Sequence, residues 1–85
     1  MEDVLGAGAV LQALGAEPAS DTARMALRLF EAMSDRLGDA LRDCQGGRNV
    51  LAAGLPADID FAARLNRFEI VGVASGDPLV VVPAV

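Results

Sequence analysis

The segment of residues 46–65 constrains the fold most, because its helix-breaking residues stand at defined intervals. The pair Gly46–Gly47 frees the backbone, and Gly54 reaches the left-handed conformation that ends a helix without a Cβ penalty. Pro56 stands where a helix can begin, since the first turn does not need its missing N–H. The segment therefore predicts two short helices, over about residues 47–53 and 57–65.

Charged side chains lie at the beginning of both short helices. Arg48 opens the first, and Asp58 and Asp60 stand in the first turn of the second, where the helix dipole favours negative charge. An Arg and a carboxylate are thus held near two helix N-termini, each of which exposes free N–H groups, and this arrangement is one way to build a site for an anionic ligand. The same residues also serve as plain caps and solvated charges, and the residue chemistry leaves both interpretations open.

A first helix is predicted over about residues 3–14, with the acidic pair Glu2–Asp3 at its start. Gly6 and Gly8 lie inside it, and each costs about 1 kcal/mol relative to Ala. We therefore expect another backbone or a ligand to approach this helix closely. The Gly-x-Gly spacing is not a dinucleotide-binding fingerprint, because the third glycine is absent and no strand precedes the motif.

One long helix is predicted over residues 21–43, with Ser20 as its N-cap. Apolar residues recur along it at spacings of three and four and form a single stripe. The stripe comprises Ala23, Ala26, Leu27, Phe30, Met33, Leu37, Leu41 and Cys44. Charges of both signs occupy the other faces, so this helix is expected to cover a core.

The C-terminal residues predict a β-hairpin with strands over about 69–74 and 79–82. Both runs are too apolar for an isolated two-stranded ribbon, which is barely stable in water. Their neighbours in a sheet are expected to come from other polypeptide or from a second copy. The predicted fold is an α/β fragment: four helices followed by a short β-hairpin, a single subdomain over residues 1–85 that forms the C-terminal part of a larger α/β fold.

Composition excludes several classes of function. The net charge is −5, and all seven basic residues are Arg without a cluster, so the basic face that nucleic-acid binding requires is missing. The longest apolar runs fall far short of the roughly 20 residues of a membrane span, and the acidic N-terminus is unlike a signal peptide. The single cysteine, Cys44, cannot form an internal disulfide, which fits a reducing compartment. A soluble cytoplasmic protein is expected.

Three segments resemble the 2-phosphosulfolactate phosphatase family. Residues 2–9, with the sequence EDVLGAGA, are similar to the family's acidic-pair and Ala-Gly segment. Residues 47–54, with the sequence GRNVLAAG, resemble its Gly-Arg segment, and residues 57–65 its following acidic helix. Glu69–Val71 looks like its closing strand. The resemblance covers about residues 2–75 of this chain and the last third of a typical family member.

The resemblance implies a magnesium-dependent phosphatase that hydrolyses phosphosulfolactate, a precursor of coenzyme M, to sulfolactate and phosphate. It implies Mg²⁺ near Glu2 and Asp3, and contact of Gly47 and Arg48 with a small phosphorylated sulfonate. A structural ion pair is the alternative role for Arg48. The chain departs from the family pattern at Leu55–Pro56, at Gly72 and at Cys44–Gly46, which affects the expected local geometry.

Two other functions remain open on the sequence alone. The chain is also interpretable as a small helical interaction module whose hairpin completes the sheet of a partner or of a homodimer, without catalysis. It is further interpretable as a remnant that keeps a fold but no chemistry. In the phosphatase interpretation, the remainder of the phosphatase chain or a second copy is the expected partner, and the isolated chain is expected to be inactive.

Overall fold

The computed structural model describes residues 1–84 and contains five helices followed by a two-stranded antiparallel sheet. The elements are α1 (Glu2–Leu14), α2 (Asp21–Met33), α3 (Leu37–Asp43), α4 (Gln45–Ala52), α5 (Pro56–Ala62), β1 (Gly72–Ser75) and β2 (Val80–Pro83). The predicted order of helices followed by a hairpin is confirmed. The predicted end of the subdomain at residue 85 lies outside the described residues.

The single helix predicted over residues 21–43 is wrong, because the chain forms α2 and α3 in its place. The Ser34 hydroxyl donates to the carbonyl of Glu31 at 3.3 Å. Arg36 then leaves the helical conformation, with φ −147° and ψ 45°. Ser and Asp compete with the helix for backbone hydrogen bonds, so the polar residues after Met33 end α2 although the apolar spacing continues.

Most helix boundaries lie at or near the glycine, proline and capping residues that the sequence indicates, with small shifts. Gly15 and Gly54 have positive φ values of 66° and 77°, and Pro56 is the first residue of α5. Ser20 caps α2, since its hydroxyl oxygen accepts from the N–H of Ala23 at 3.1 Å. The shifts are found at α4, which begins at Gln45, at α5, which ends at Ala62, and at the strands, which cover 72–75 and 80–83.

Helices α1 and α2 pack backbone to backbone at Gly8. A Cβ on Gly8 would lie 2.7 Å from the Cβ of Phe30, and the carbonyl oxygen of Ala26 would be closer still. The expectation of a close approach is therefore confirmed at Gly8. It is wrong at Gly6, where a Cβ would meet nothing within 4 Å.

The core is small and lies where the helices meet. Its buried apolar residues are Leu5, Ala26, Phe30, Ala40, Cys44 and Ile59. The accessible surface of 6396 Å² exceeds the roughly 4700 Å² expected of a compact monomer of this mass. The radius of gyration of 14.6 Å likewise exceeds the roughly 12 Å of a compact chain of this length. The chain therefore exposes more surface than a closed domain does.

The hairpin is exposed along both of its strands. Strands β1 and β2 pair in the register Gly72–Pro83, Val73–Val82, Ala74–Val81 and Ser75–Val80. Every residue of both strands is exposed, and Val81 retains 76% of its accessible surface. Neither face of the hairpin is covered by the helices.

Candidate functional site

The junction between α3 and α4 is organised by Cys44. This residue has an extended backbone, and its Sγ accepts a hydrogen bond from the N–H of Gly47 at 3.4 Å. The thiol lies 3.1 Å from the carbonyl oxygen of Leu41, to which it donates. The buried side chain thus caps the N-terminus of α4 in the way that Ser or Asp commonly does.

Gly47 is the point at which α4 contacts the end of α3. A Cβ at this position would lie 2.7 Å from the carbonyl carbon of Leu41 and 3.0 Å from the Cα of Arg42, and the oxygen of Leu41 would be closer. The contact explains why a Gly-Gly pair lies inside a helix rather than before it. Since the N–H of Gly47 is already donated to Cys44, close packing is its role in the structure.

The carboxylate of Glu2 lies over Gly46, in the first turn of α4. A Cβ on Gly46 would be 3.0 Å from Oε1 of Glu2 and 3.2 Å from Oε2. Oε2 is also 3.6 Å from Sγ of Cys44 and 3.2 Å from the amino terminus. The beginning of α1 therefore meets the beginning of α4, and a negative charge stands where the dipole of α4 favours it.

The pKa of the Glu2 carboxyl is lowered from its ordinary value. The main cause is a hydrogen bond from the residue's own backbone amide, followed by the hydrogen bond and positive charge of the amino terminus. The Cys44 thiol adds to the effect, and partial desolvation opposes it. Glu2 is therefore held as an anion over a wider range of pH than a free glutamate.

A cleft of about 310 Å³ opens beside this contact. Its polar lining includes Glu2, Cys44 and Asp58, and its apolar lining includes Leu41, Val50 and Ile59. The sequence did not place Asp58 in one site with Glu2, because an aspartate in the first turn of a helix is already accounted for by the helix dipole. The signal missing from the sequence is that α1 and α5 contribute residues to the same cleft, which no local pattern reports.

The structure brings together only part of the predicted site. Glu2 and Gly47 line the cleft, whereas Asp3 and Arg48 are not among its lining residues. Arg48 is exposed and forms no ion pair with residues 1–84, so the alternative structural ion pair is not present in that part of the chain. The ion pair that does join elements here is Arg42 with Asp60, between α3 and α5.

A magnesium ion would need oxygen ligands from the carboxylates of this site. Within the described residues 1–84, no group of three or more His, Cys, Asp or Glu side chains is placed to hold a metal. Mg²⁺ commonly keeps several waters and binds through one or two carboxylates and a substrate phosphate. The two carboxylates of the cleft, Glu2 and Asp58, fit that mode of binding and do not fit a closed metal cage.

Comparison with known proteins decides the family. The family model described as 2-phosphosulpholactate phosphatase matches residues 1–77. The chain belongs to this family. The matched range contains all the residues of the cleft, together with Asp3 and Arg48. Comparison with curated proteins and with solved structures returned no match.

The cleft of this 2-phosphosulfolactate phosphatase family member is assembled from segments far apart in sequence. Glu2 belongs to the acidic-pair segment, whereas Gly46 and Gly47 stand at the Gly-Arg segment. Asp58 belongs to the acidic helix that follows. No helix among the described residues of this family member is both long and apolar enough to cross a membrane.

Proposed function

We propose that this chain is the C-terminal portion of a magnesium-dependent phosphatase that hydrolyses phosphosulfolactate to sulfolactate and phosphate. The observation that carries the proposal is the contact of Glu2 with Gly46, which joins two remote segments of the family match at one cleft. Family membership supports the reaction class and a small phosphorylated sulfonate as substrate. A place in coenzyme M synthesis and a cytoplasmic location are parts of the same proposal, the latter supported by the unpaired Cys44.

Glu2 and Asp3 are the proposed magnesium-binding residues, and the structure adds Asp58 as a candidate. Glu2 and Asp58 share the cleft, so their oxygens would hold the ion or its water shell, with Asp3 contributing from the outer side of α1. A bound magnesium ion would neutralise charge on the phosphoryl oxygens. The lowered pKa of Glu2 supports this role, because a metal-binding carboxylate must be ionised.

Arg48 is the proposed substrate-binding side chain. Its planar guanidinium carries paired donors that match a phosphate or sulfonate group, and it is exposed on the first turn of α4. Gly47 would act by packing α4 against α3, which fixes the position from which Arg48 reaches solvent. The proposed anion therefore approaches from the open side of α4 rather than through the buried junction.

The isolated chain is proposed to be inactive. Phosphoryl transfer requires a positioned nucleophile and several cationic groups around the transferring phosphate. The cleft contributes carboxylates, and two arginines adjoin its lining residues in sequence: Arg42, which is paired with Asp60, and Arg48, which is exposed. We propose that the remaining groups come from the remainder of the phosphatase polypeptide.

Thermal unfolding of the 85-residue chain tests the binding roles. Mg²⁺ with phosphosulfolactate at 100 times Kd stabilises a protein by about 2.7 kcal/mol, which raises the Tm of a domain this small by about 10 °C or more. Glu2→Gln is expected to abolish the shift caused by Mg²⁺, and Arg48→Ala the shift caused by the substrate. Arg64→Ala, an exposed arginine outside the cleft, is the matched control and should retain both. Absence of any ligand-induced shift in the unmodified chain would contradict the proposed site.

A further inference from the structure

The cleft is bounded by parts of the chain that are held in different ways. Its first wall is formed by Leu41 of α3 and by the beginning of α4, and Glu2 is fixed against that wall by its contacts with Gly46 and Cys44. Its second wall belongs to α5 and carries Asp58. The distance between the two proposed magnesium-binding carboxylates therefore depends on how α5 is oriented against α3 and α4.

Helix α5 is short and lightly buried. It contains seven residues, its N-cap residue Leu55 makes no side-chain capping hydrogen bond, and Ile59 is its only buried residue. Helices of this length are marginal in water on their own, so they depend on tertiary contacts. One buried side chain fixes a point on the helix but leaves rotation about that point weakly determined. A second contact, away from Ile59, is therefore needed to fix the position of Asp58.

The ion pair between Arg42 and Asp60 supplies that second contact. The guanidinium of Arg42 donates from Nη2 to Oδ1 of Asp60, and its Nη1 lies 3.5 Å from Oδ1 of Asp39, one turn earlier on α3. The planar group is thus held between a carboxylate of its own helix and a carboxylate of α5. Within residues 1–84, every other ion pair joins residues no more than three positions apart, so this one alone links two helices.

Helix geometry relates this ion pair to the cleft. Successive residues of an α-helix project about 100° apart, so Asp58 and Asp60 flank the buried Ile59 on opposite sides. On α3, the neighbouring residues Leu41 and Arg42 are divided in the same way, since the first lines the cleft and the second pairs with Asp60. A rotation of α5 that separates Asp60 from Arg42 must therefore also move Asp58 within the cleft.

We propose that Arg42 is a positioning residue of the cleft, whose ion pair with Asp60 sets the orientation of α5 and thereby the place of Asp58. This inference rests on the magnesium site proposed above for Glu2 and Asp58. Both terminal nitrogens of Arg42 face carboxylates, so its side chain acts on α5 and not on the substrate anion. Exposed ion pairs contribute little to global stability. Loss of this pair should therefore leave the helices folded and change the affinity of the cleft for Mg²⁺.

Titration of the 85-residue chain with Mg²⁺ alone, followed by the NMR shifts of its backbone amides, tests the role of Arg42. Arg42→Met and Asp60→Asn should each weaken Mg²⁺ binding about tenfold, the lower end of the effects seen for residues that hold metal ligands in place. The double variant should be no weaker than either single variant, because both remove the same contact. Charge alone predicts the opposite sign for Arg42→Met, since removal of a nearby cation would tighten the binding of Mg²⁺. Tighter or unchanged binding in Arg42→Met would therefore overturn the proposal.

A matched control and a second measurement separate positioning from general effects. Arg28→Met removes an ion pair with Glu31 that lies within α2, and it should leave the Mg²⁺ affinity within about twofold of the unmodified chain. Residual dipolar couplings of the metal-free chain report the orientation of α5 directly. Arg42→Met should change the couplings of α5 and leave those of α1 and α2 as they are. Unchanged couplings of α5 would overturn the role of Arg42 alone, whereas an unmodified chain that does not bind Mg²⁺ would overturn the proposed metal site as well.

Discussion

The carboxylate of Glu2 lies against the α-carbon of Gly46, so that a Cβ at this position would be 3.0 Å from Oε1. The next residue, Gly47, faces the main chain of Leu41 instead, and a Cβ there would be 2.7 Å from its carbonyl carbon. The end of a glutamate side chain can rotate away, whereas a helical carbonyl group cannot. A side chain at position 46 can therefore be accommodated by movement of Glu2, whereas a side chain at position 47 requires the main chain to move.

Alanine substitutions at these two glycines should have unequal effects. Gly47→Ala forces α3 and α4 apart and is expected to lower the free energy of unfolding by about 3 kcal/mol, the upper end of overpacking effects. Gly46→Ala displaces only the Glu2 side chain and gains about 0.5 kcal/mol or more from reduced backbone entropy in the unfolded chain. Urea unfolding followed by circular dichroism measures both. A Gly46→Ala variant as unstable as Gly47→Ala would show that Glu2 is not free to move.

A second glycine pair tests the packing of α1 against α2. Gly8→Ala should destabilise the chain by about 2 kcal/mol or more, because the added methyl group meets Ala26 and Phe30. Gly6→Ala has open space and should stabilise it by about 1 kcal/mol, the difference in helix propensity. The same unfolding measurement applies to both variants. Similar stability of the two variants would contradict the close contact at Gly8.

The stability that the Cys44 cap contributes should depend on the ability of the side chain to accept a hydrogen bond more than on its volume. Cys44→Ala removes the acceptor of the Gly47 N–H and is expected to cost about 1 kcal/mol. Cys44→Ser keeps a side-chain acceptor at the N-cap and should cost less, because Ser is among the preferred capping residues. Chemical denaturation under reducing conditions compares the two. Equal losses would mean that burial of the sulfur atom, not the cap, supplies the stabilisation.

The lowered pKa of Glu2 makes part of the stability depend on pH. The folded-state pKa lies below the unfolded value, so the contribution is fully present above the unfolded pKa and is lost as the pH falls through the folded pKa. The stability of Glu2→Gln should therefore fall below that of the unmodified chain near neutral pH and converge with it in acid. Unfolding curves from pH 7 downward test this, and a difference that grows on acidification would contradict the assignment.

Local sequence signals predicted the ends of most helices. The boundaries that these signals did not predict depend on interactions seen only in the structure. Gly15, Gly54 and Pro56 act as predicted, because a positive φ or a missing N–H is a property of the residue itself. The break after Met33 was not predicted, since the apolar stripe passes through it unchanged. The sequence predicts the start of α4 two residues too late, because a Gly-Gly pair usually indicates a helix break. The contacts of Gly46 and Gly47 show why the pair lies inside the helix.

The candidate site was predictable only in part, because local sequence signals do not show which residues tertiary contacts bring together. Glu2 and Gly47 carry recognisable chemistry or spacing, and both line the cleft. The sequence predicts Asp58 as a helix-start carboxylate, and its place in the same cleft as Glu2 depends on how α5 packs against the other helices. The predicted roles of all four residues, Glu2, Asp3, Gly47 and Arg48, stay predictions, and Asp3 and Arg48 do not line the cleft.

The close approach at Gly8 limits how this helical unit can be redesigned. The separation of α1 and α2 is set there by main-chain atoms, so larger core side chains cannot be introduced at that crossing without moving both helices. The usable space lies beside the crossing, in a small cavity of about 110 Å³ that Gly6, Leu37 and Leu65 help to line. Engineering for greater rigidity should therefore fill that cavity and leave the crossing untouched.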